Sequence, residues 1–183
     1  MRELALHLLD IAENSVAANA KNITLTVCED LEHDRLRMSV EDDGKGMDEE
    51  MVLQVVDPFV TSRTTRKVGL GIPLLKAAAE ACNGFLTITS QVGKGTLLTV
   101  EFQHGHIDRM PLGDVAGTVL SLVIAFPAVH WKLIYTVNDQ EFVFDDLPIK
   151  ETLDGVSLTE PAILAFVRQT LQDGILGIRP ELN

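Results

Sequence analysis

The chain has 183 residues, of which 46% are hydrophobic and 23% charged, so it can bury a core and fold as a globular protein. Its formal net charge of −12 argues against nucleic acid as a partner, because phosphate contacts need clustered lysines and arginines. Two cysteines without metal-ligand spacing, no signal peptide and an apolar run too short for a bilayer predict a cytoplasmic protein without a membrane span.

The first predicted element is a helix over residues 3–20. Apolar and small residues, Ser15 among them, follow one face of it. The other face carries a polar stripe at spacings of four, three and four residues: Glu3, His7, Asp10 and Asn14. Most such stripes are solvated faces. Asparagine is unfavourable inside a helix, however, and an Asn four residues after an Asp suits a cation with oxygen ligands.

Two strands follow, over residues 22–28 and 35–41, and an acidic turn joins them into a predicted hairpin. The second strand ends in Asp-Asp-Gly-Lys-Gly-Met, residues 42–47. Its two glycines let the main chain turn close to whatever lies above the strand end. An Asp fixed there is a good acceptor for an exocyclic amine such as that of adenine, although Asp-Asp-Gly is also an ordinary turn.

A short helix is predicted through about residue 56, and the next segment, residues 57–70, has neither helical nor strand periodicity. This loop is rich in hydroxyl and basic side chains, and it leads through Gly69 and Gly71 into a helix over residues 71–81. A glycine turn before a helix N-terminus is typical of a phosphate site, because the backbone N–H groups there are free.

Two more strands, over residues 85–90 and 96–103, complete the first half of the chain. Helices alternate here with antiparallel hairpins. The pattern predicts an α+β fold, a two-layer sandwich of a mixed, mainly antiparallel sheet with helices on one face.

Four of these segments, in this order, resemble the ATP-binding family shared by gyrase B, the heat-shock chaperone ATPases, the sensor histidine kinases and MutL, the GHKL family. The segments are residues 10–16 (similar to the N box), 42–47 (the first glycine box), 57–63 with 69–72 (the F box and second glycine box) and 93–96 (the closing Gly-x-Gly-Thr). The resemblance covers residues 3–103. It implies a Bergerat-type fold, closest in motif style to a stand-alone histidine-kinase-type domain.

The resemblance implies ATP and Mg²⁺ as cofactors. Asn14 would ligate Mg²⁺, and Asp42 would accept a hydrogen bond from the adenine amine. Thr96 would support the adenine pocket from the far strand. Residues 60–68 would form a lid over the nucleotide. The other residues implied to bind the cofactor are Gly44, Gly46, Met47, Phe59, Thr61, Ser62, Arg63, Lys67, Gly69, Leu70, Gly71 and Ile72.

Asp10 stands where hydrolytic members of the family carry a general base, so it is either a base or a helper of Mg²⁺. None of the five histidines lies in a His-Glu/Asp-x-x-x-Pro phosphoacceptor pattern. We therefore expect a histidine-kinase-type protein that transfers the γ-phosphoryl group to a separate partner protein. The alternatives are an ATP-hydrolysing switch that regulates a partner through lid ordering or dimerisation, and a non-catalytic ATP-binding module. A homodimer is left open.

The tail predicts a small α-β-β-α unit. A polar joint over residues 104–111 is the expected linker between an ATP-binding domain, residues 1–103, and a C-terminal domain, residues 112–183. The only Trp and the only Tyr of the chain lie on its first strand, where an aromatic row either packs in a core or docks a partner. The sequence attaches no chemistry to this unit.

Overall fold

The structure is a computed structural model, and it describes residues 3–56, 71–153 and 158–179. The elements in chain order are α1 (Leu4–Ala17), β1 (Asn22–Asp30), β2 (Arg35–Asp42), α2 (Glu49–Val56), α3 (Gly71–Ala81), β3 (Phe85–Gln91), β4 (Gly95–Gln103), α4 (Val115–Ala125), β5 (His130–Val137), β6 (Gln140–Asp145), α5 (Leu147–Thr152) and α6 (Pro161–Gly177). Most boundaries fall within a few residues of the prediction, and α5 is an element that the sequence pattern did not predict. Among the helices of the described ranges, none combines the length and apolar character needed to cross a bilayer.

These six strands form a single sheet in the order β3-β4-β2-β1-β5-β6. Neighbouring strands pair antiparallel, except β1 and β5, which run parallel. The sheet is thus mixed and mainly antiparallel, and helices pack on it. This arrangement confirms the predicted α+β class.

One face of the sheet is apolar, and helices α1, α3, α4 and α6 pack against it. In the middle of this face, Leu25 of β1 lies between Val40 of β2 and Leu133 of β5, and all three side chains are buried. The strands alternate because every second residue points to this face. Each such side chain contributes roughly 1.5–3 kcal/mol through burial, so the sheet and the helices hold together as one core.

The C-terminal half extends this sheet. Strand β5 pairs with β1 along its whole length, and α4 packs on α1. Trp131 and Tyr135 are fully buried, so the aromatic row is part of the core. The predicted linker, residues 104–111, is also tied down, because the Pro111 carbonyl accepts the Leu4 N–H at 3.0 Å. The strands before and after this segment belong to the same sheet. The division into two domains stays a prediction.

A half-buried carboxylate of β1, Glu29, joins β5 to the residues that follow β4 and α6, at the end of the sheet away from Asp42. Glu29 accepts hydrogen bonds from the Tyr135 hydroxyl at 2.6 Å and from Arg179 at 3.4 Å, and its other oxygen lies 2.9 Å from His104 Nε2. Burial opposes ionisation of this group. The hydrogen bonds from Tyr135 and His104 and the charge of Arg179 outweigh burial, so the pKa of Glu29 is lowered.

We expect Glu29→Gln to reduce the free energy of unfolding by about 2 kcal/mol near neutral pH, because a hydrogen-bonded charge is lost. A carboxyl whose pKa is lowered by folding stabilises the protein above its ordinary pKa of 4.5 and loses this effect as the pH falls through the folded-state pKa. The stability difference between wild type and variant should therefore shrink on acidification. Urea unfolding at neutral pH and at about pH 3 measures it.

Glu32→Gln is the matched control, because it removes the same charge from an exposed position in the neighbouring turn. It should change the free energy of unfolding by less than about 0.5 kcal/mol. A stability loss in Glu29→Gln that is as large in acid as at neutral pH would contradict the role given to this carboxylate.

Candidate functional site

A cavity of about 400 Å³ lies at the end of β2, between the sheet and helices α1, α2 and α3. Among the described residues that the sequence predicts for the site, six of the cofactor residues and the candidate base Asp10 line it: Asp10, Asn14, Asp42, Gly46, Met47, Ile72 and Thr96. They come from α1, from the end of β2 and its turn, from α3 and from β4. The cavity has the size of a small-molecule site, and the structure brings together residues that are up to 86 positions apart (10 to 96).

Two hydrogen bonds fix the direction of the Asp42 carboxylate. The Ser15 hydroxyl donates to Oδ2 at 2.6 Å, and the Gly44 N–H donates to Oδ1 at 2.9 Å. Ser15 is buried on α1, so this bond also joins the helix to the end of β2. Because a carboxylate oxygen has two lone pairs, each oxygen of Asp42 keeps one for a ligand.

The neighbouring Asp43 has a different, structural role. Its Oδ1 accepts the backbone N–H groups of Lys21 at 2.6 Å and Asn22 at 2.9 Å, and its Oδ2 accepts the Asn22 side-chain amide at 2.6 Å. Burial opposes ionisation here, but these hydrogen bonds prevail and the pKa of Asp43 is lowered. Asp43 therefore holds the start of β1 against the end of β2, while Asp42 lines the cavity.

Three polar side chains form a row across the ends of β2, β4 and β3. Asp42 pairs with Thr96, and Thr96 pairs with Ser90. The Ser90 Oγ lies 2.8 Å from the Met47 N, 2.9 Å from the Gly95 carbonyl and 2.9 Å from the Thr96 Oγ1. Ser90 is thus the residue that joins the turn after β2 to the start of β4.

Two glycines allow the backbones around this row to approach one another. Gly46 has a φ of +64°, and a side-chain carbon there would collide with the Gln91 carbonyl. Gly95 has a φ of +112°, and a side-chain carbon there would collide with the Asp42 carbonyl. Both positions need glycine for conformation and for space.

Asp10 and Asn14 lie one turn apart on the side of α1 that lines the cavity. Within the described residues neither side chain forms a hydrogen bond, so their oxygens are available to a ligand. Gly71 begins α3 directly beside Asp10, where any side-chain carbon would collide with Oδ2. Two oxygen donors beside a helix N-terminus fit Mg²⁺, which usually takes few protein ligands and shares phosphate oxygens.

His7, which shares the predicted polar stripe, lies outside the cavity. It is 4% exposed and packs among the buried residues of α1. Burial lowers the pKa of the His7 imidazole, and the charge of Asp10 partly opposes this shift. We therefore assign His7 to the core.

The rest of the cavity wall is mostly apolar. Residues that the sequence prediction missed are Ile11, Ser15, Ala17, Ala18, Val40, Lys45, Met51, Val55, Ile88 and Leu98. The apolar members have the periodicity of core residues, so the sequence carries no signal that separates them from the core. Lys45 stands between the two glycines of the predicted box. It is the one cation that lines the cavity among the described residues.

Seven predicted cofactor residues belong to the segment outside the described residues: Phe59, Thr61, Ser62, Arg63, Lys67, Gly69 and Leu70. The two remaining ones, Gly44 and Gly71, support the cavity without lining it. Gly44 fixes Asp42, and Gly71 gives Asp10 its space.

Comparisons with solved structures agree with this architecture along nearly the whole chain. The crystal structure of the N-terminal domain of a DNA repair protein matches 96% of this chain and 57% of that one, with a TM-score of 0.57 and 12% identity. The Aquifex aeolicus MutL ATPase domain complexed with ADP matches 94% of this chain and 70% of that one, with a TM-score of 0.51 and 15% identity. At these identities the likeness shows the fold.

Sequence comparisons point to kinases over the first half of the chain. The sensor histidine kinase YvrG of Bacillus subtilis is 29% identical over 94 residues, 49% of this chain and 16% of YvrG. The sensor protein kinase FleS of Pseudomonas aeruginosa is 38% identical over 92 residues, 50% of this chain and 23% of FleS. This chain therefore matches less than a quarter of the length of either kinase.

The family model of histidine kinase-, DNA gyrase B- and HSP90-like ATPases matches residues 1–106, more than half of the chain. That range contains every residue found lining the cavity within the described part of the chain. Fold, cavity and sequence thus agree, and the chain belongs to the family of histidine kinase-, DNA gyrase B- and HSP90-like ATPases.

Proposed function

We propose that this protein binds ATP with Mg²⁺ in the cavity and transfers the γ-phosphoryl group to a separate partner protein. The observation that carries the proposal is the meeting of Asp10 and Asn14 from α1 with Asp42 and Thr96 from the sheet on a single cavity. The sheet end offers acceptors for an amino group, and the helix end offers oxygen ligands beside the start of α3. A nucleoside triphosphate with a divalent cation has this same distribution of groups.

At the base end, Asp42 accepts from the adenine amine, and the apolar wall packs on the faces of the ring. The wall includes Val40, Ile88 and Leu98, which also belong to the core. Such a wall favours a flat apolar ring and excludes water, which strengthens the hydrogen bond to Asp42.

At the phosphate end, Asn14 would hold Mg²⁺ with help from Asp10, and the bound ion would neutralise charge on the phosphates. The backbone N–H groups at the start of α3 would donate to phosphate oxygens. Arg63 and Lys67, from the predicted lid, supply further cations. Phosphoryl transfer depends chiefly on positioning and charge neutralisation, which these groups can provide.

Several features support a kinase with a separate acceptor. The two relatives described above, YvrG and FleS, are sensor kinases, and no phosphoacceptor pattern surrounds the histidines of this chain.

Both cysteines, Cys28 and Cys82, are free thiols. We propose that the protein acts in the cytoplasm, where Mg·ATP is supplied and thiols stay reduced.

The position of Asp10 favours a second candidate function, slow ATP hydrolysis that switches a partner. Its carboxylate lines the cavity next to Gly71, where a phosphate at the start of α3 would lie. A carboxylate at that place can accept the proton of an attacking water within about 3 Å, directly or through one further water. The shared fold with a MutL ATPase domain is compatible with this alternative.

Adjacent carboxylates give the sharpest test of the nucleotide site. Asp42→Asn should weaken ATP binding about 10- to 100-fold, because a hydrogen bond to a charged acceptor contributes roughly 1.5–3 kcal/mol. Asp43→Asn makes the same chemical change one residue along, where the carboxylate holds β1. It should lower stability and leave the affinity within about twofold. Calorimetric titration with Mg·ATP measures both, and equal losses in the two variants would refute the assignment.

Removal of the Asn14 amide tests the cation site. We expect Asn14→Ala to abolish the gain in ATP affinity that wild type shows on addition of Mg²⁺, because the protein ligand is lost. Binding of ATP in the presence of a chelator should be unchanged. Glu13→Ala is the control, because Glu13 is exposed next to Asn14 and lies outside the cavity. An Asn14→Ala variant that keeps the full Mg²⁺ effect would remove Asn14 from the metal site.

The reaction itself is tested with ATP labelled at the γ-phosphate. Wild type, incubated with an extract of its own host, should label a second protein with an acid-labile phosphate, and Asp42→Asn should not. Phosphate release without any labelled protein, lost in Asp10→Asn while ATP binding persists within about threefold, would overturn the kinase proposal. That result would establish the hydrolytic switch.

A further inference from the structure

We propose that Ser90 fixes the hydroxyl direction of Thr96 and thereby makes the base end of the cavity select a 6-amino purine over a 6-oxo purine. The inference rests on the proposed function, since it concerns the base of the bound nucleotide. Ser90 is not among the described residues that line the cavity, so its role is one of positioning.

The direction of the Thr96 hydroxyl follows from the hydrogen-bond capacity of the Ser90 hydroxyl, which has one proton and two lone pairs. The Met47 N–H, 2.8 Å from Ser90 Oγ, can only donate, and the Gly95 carbonyl, 2.9 Å away, can only accept. The Ser90 proton therefore goes to Gly95, and Met47 takes one lone pair. Thr96 Oγ1, 2.9 Å from the same oxygen, must then be the donor.

This assignment determines what Thr96 presents to a ligand. Its proton is committed to Ser90, so towards the cavity it offers lone pairs only. Asp42 also offers only lone pairs, because both of its protein partners, Ser15 and Gly44, are donors. The two residues stand opposite each other in the β2–β4 register. The base end is therefore a pair of acceptors.

A pair of acceptors suits the 6-amino group of adenine, which carries two N–H donors. A 6-oxo purine in the same pose would place an acceptor oxygen against two acceptors, and its carbonyl would be buried without a donor. Without Ser90, the Thr96 hydroxyl could rotate and donate to that oxygen. Ser90 thus keeps the Thr96 hydroxyl from donating to a 6-oxo base.

The test compares the dissociation constants of ATP and ITP, which differ in the base at position 6, each with Mg²⁺. Wild type should prefer ATP, and Ser90→Ala should reduce the ITP-to-ATP ratio of dissociation constants about tenfold. Ser90→Thr, which keeps the hydroxyl, should retain most of the preference. Thr89→Ala is the matched control, because Thr89 is the preceding, exposed residue of β3 and points to the other face.

Thr96→Val gives a second, independent measurement, because it leaves the bonds of Ser90 to Met47 and Gly95 in place. It too should reduce the ratio, and adding Ser90→Ala to it should change the ratio no further. A merely structural role of Ser90 would weaken both nucleotides equally, and an unchanged ratio in Ser90→Ala would overturn the inference. Equal binding of ATP and ITP by wild type would overturn it while ATP binding stands. If wild type binds neither nucleotide, the proposed function fails and the inference falls with it.

Discussion

Asp42 and Thr96 face each other because β2 and β4 pair antiparallel in a single register, and the cavity depends on that register. A slip of one residue would turn every side chain of β2 to the opposite face. The buried residues Leu36, Met38 and Val40 resist such a slip, because all of them would leave the core. The functional end of the strand is therefore fixed by apolar burial further along the same strand.

Asp42 ends β2 and Asp43 follows it, and these two adjacent carboxylates have different roles. Asp43 accepts three hydrogen bonds, two from the backbone N–H groups of Lys21 and Asn22 and one from the Asn22 side chain, whereas Asp42 accepts only two, from Ser15 and Gly44. The bonds of Asp43 hold backbone in place, whereas each oxygen of Asp42 keeps a lone pair for a ligand. Asp43 therefore anchors the start of β1 to the end of β2, while Ser15 and Gly44 set the direction of the Asp42 carboxylate.

Much of this architecture could be predicted from the sequence, because it depends on local sequence patterns. The helix and strand periods, the glycine box and the polar stripe with Asp10 and Asn14 are of that kind. Ser15 escaped prediction because a serine on an apolar helix face is indistinguishable from a small core residue, and its partner lies 27 positions away. The parallel pairing of β5 with β1 was not predicted either, because periodicity carries no information about which strands become neighbours.

That non-local pairing gives the C-terminal half a part in the site, although its described residues do not line the cavity. The Asn22 amide nitrogen faces Asp43, so its carbonyl oxygen must face His130 at the start of β5, 2.9 Å from Nδ1. The backbone N–H of His130 also donates to the Lys21 carbonyl at 2.8 Å. A chain of hydrogen bonds thus runs from β5 through Asn22 to Asp43. Because Asp43 holds the turn that carries Asp42, the added strands brace the base end of the cavity from outside it.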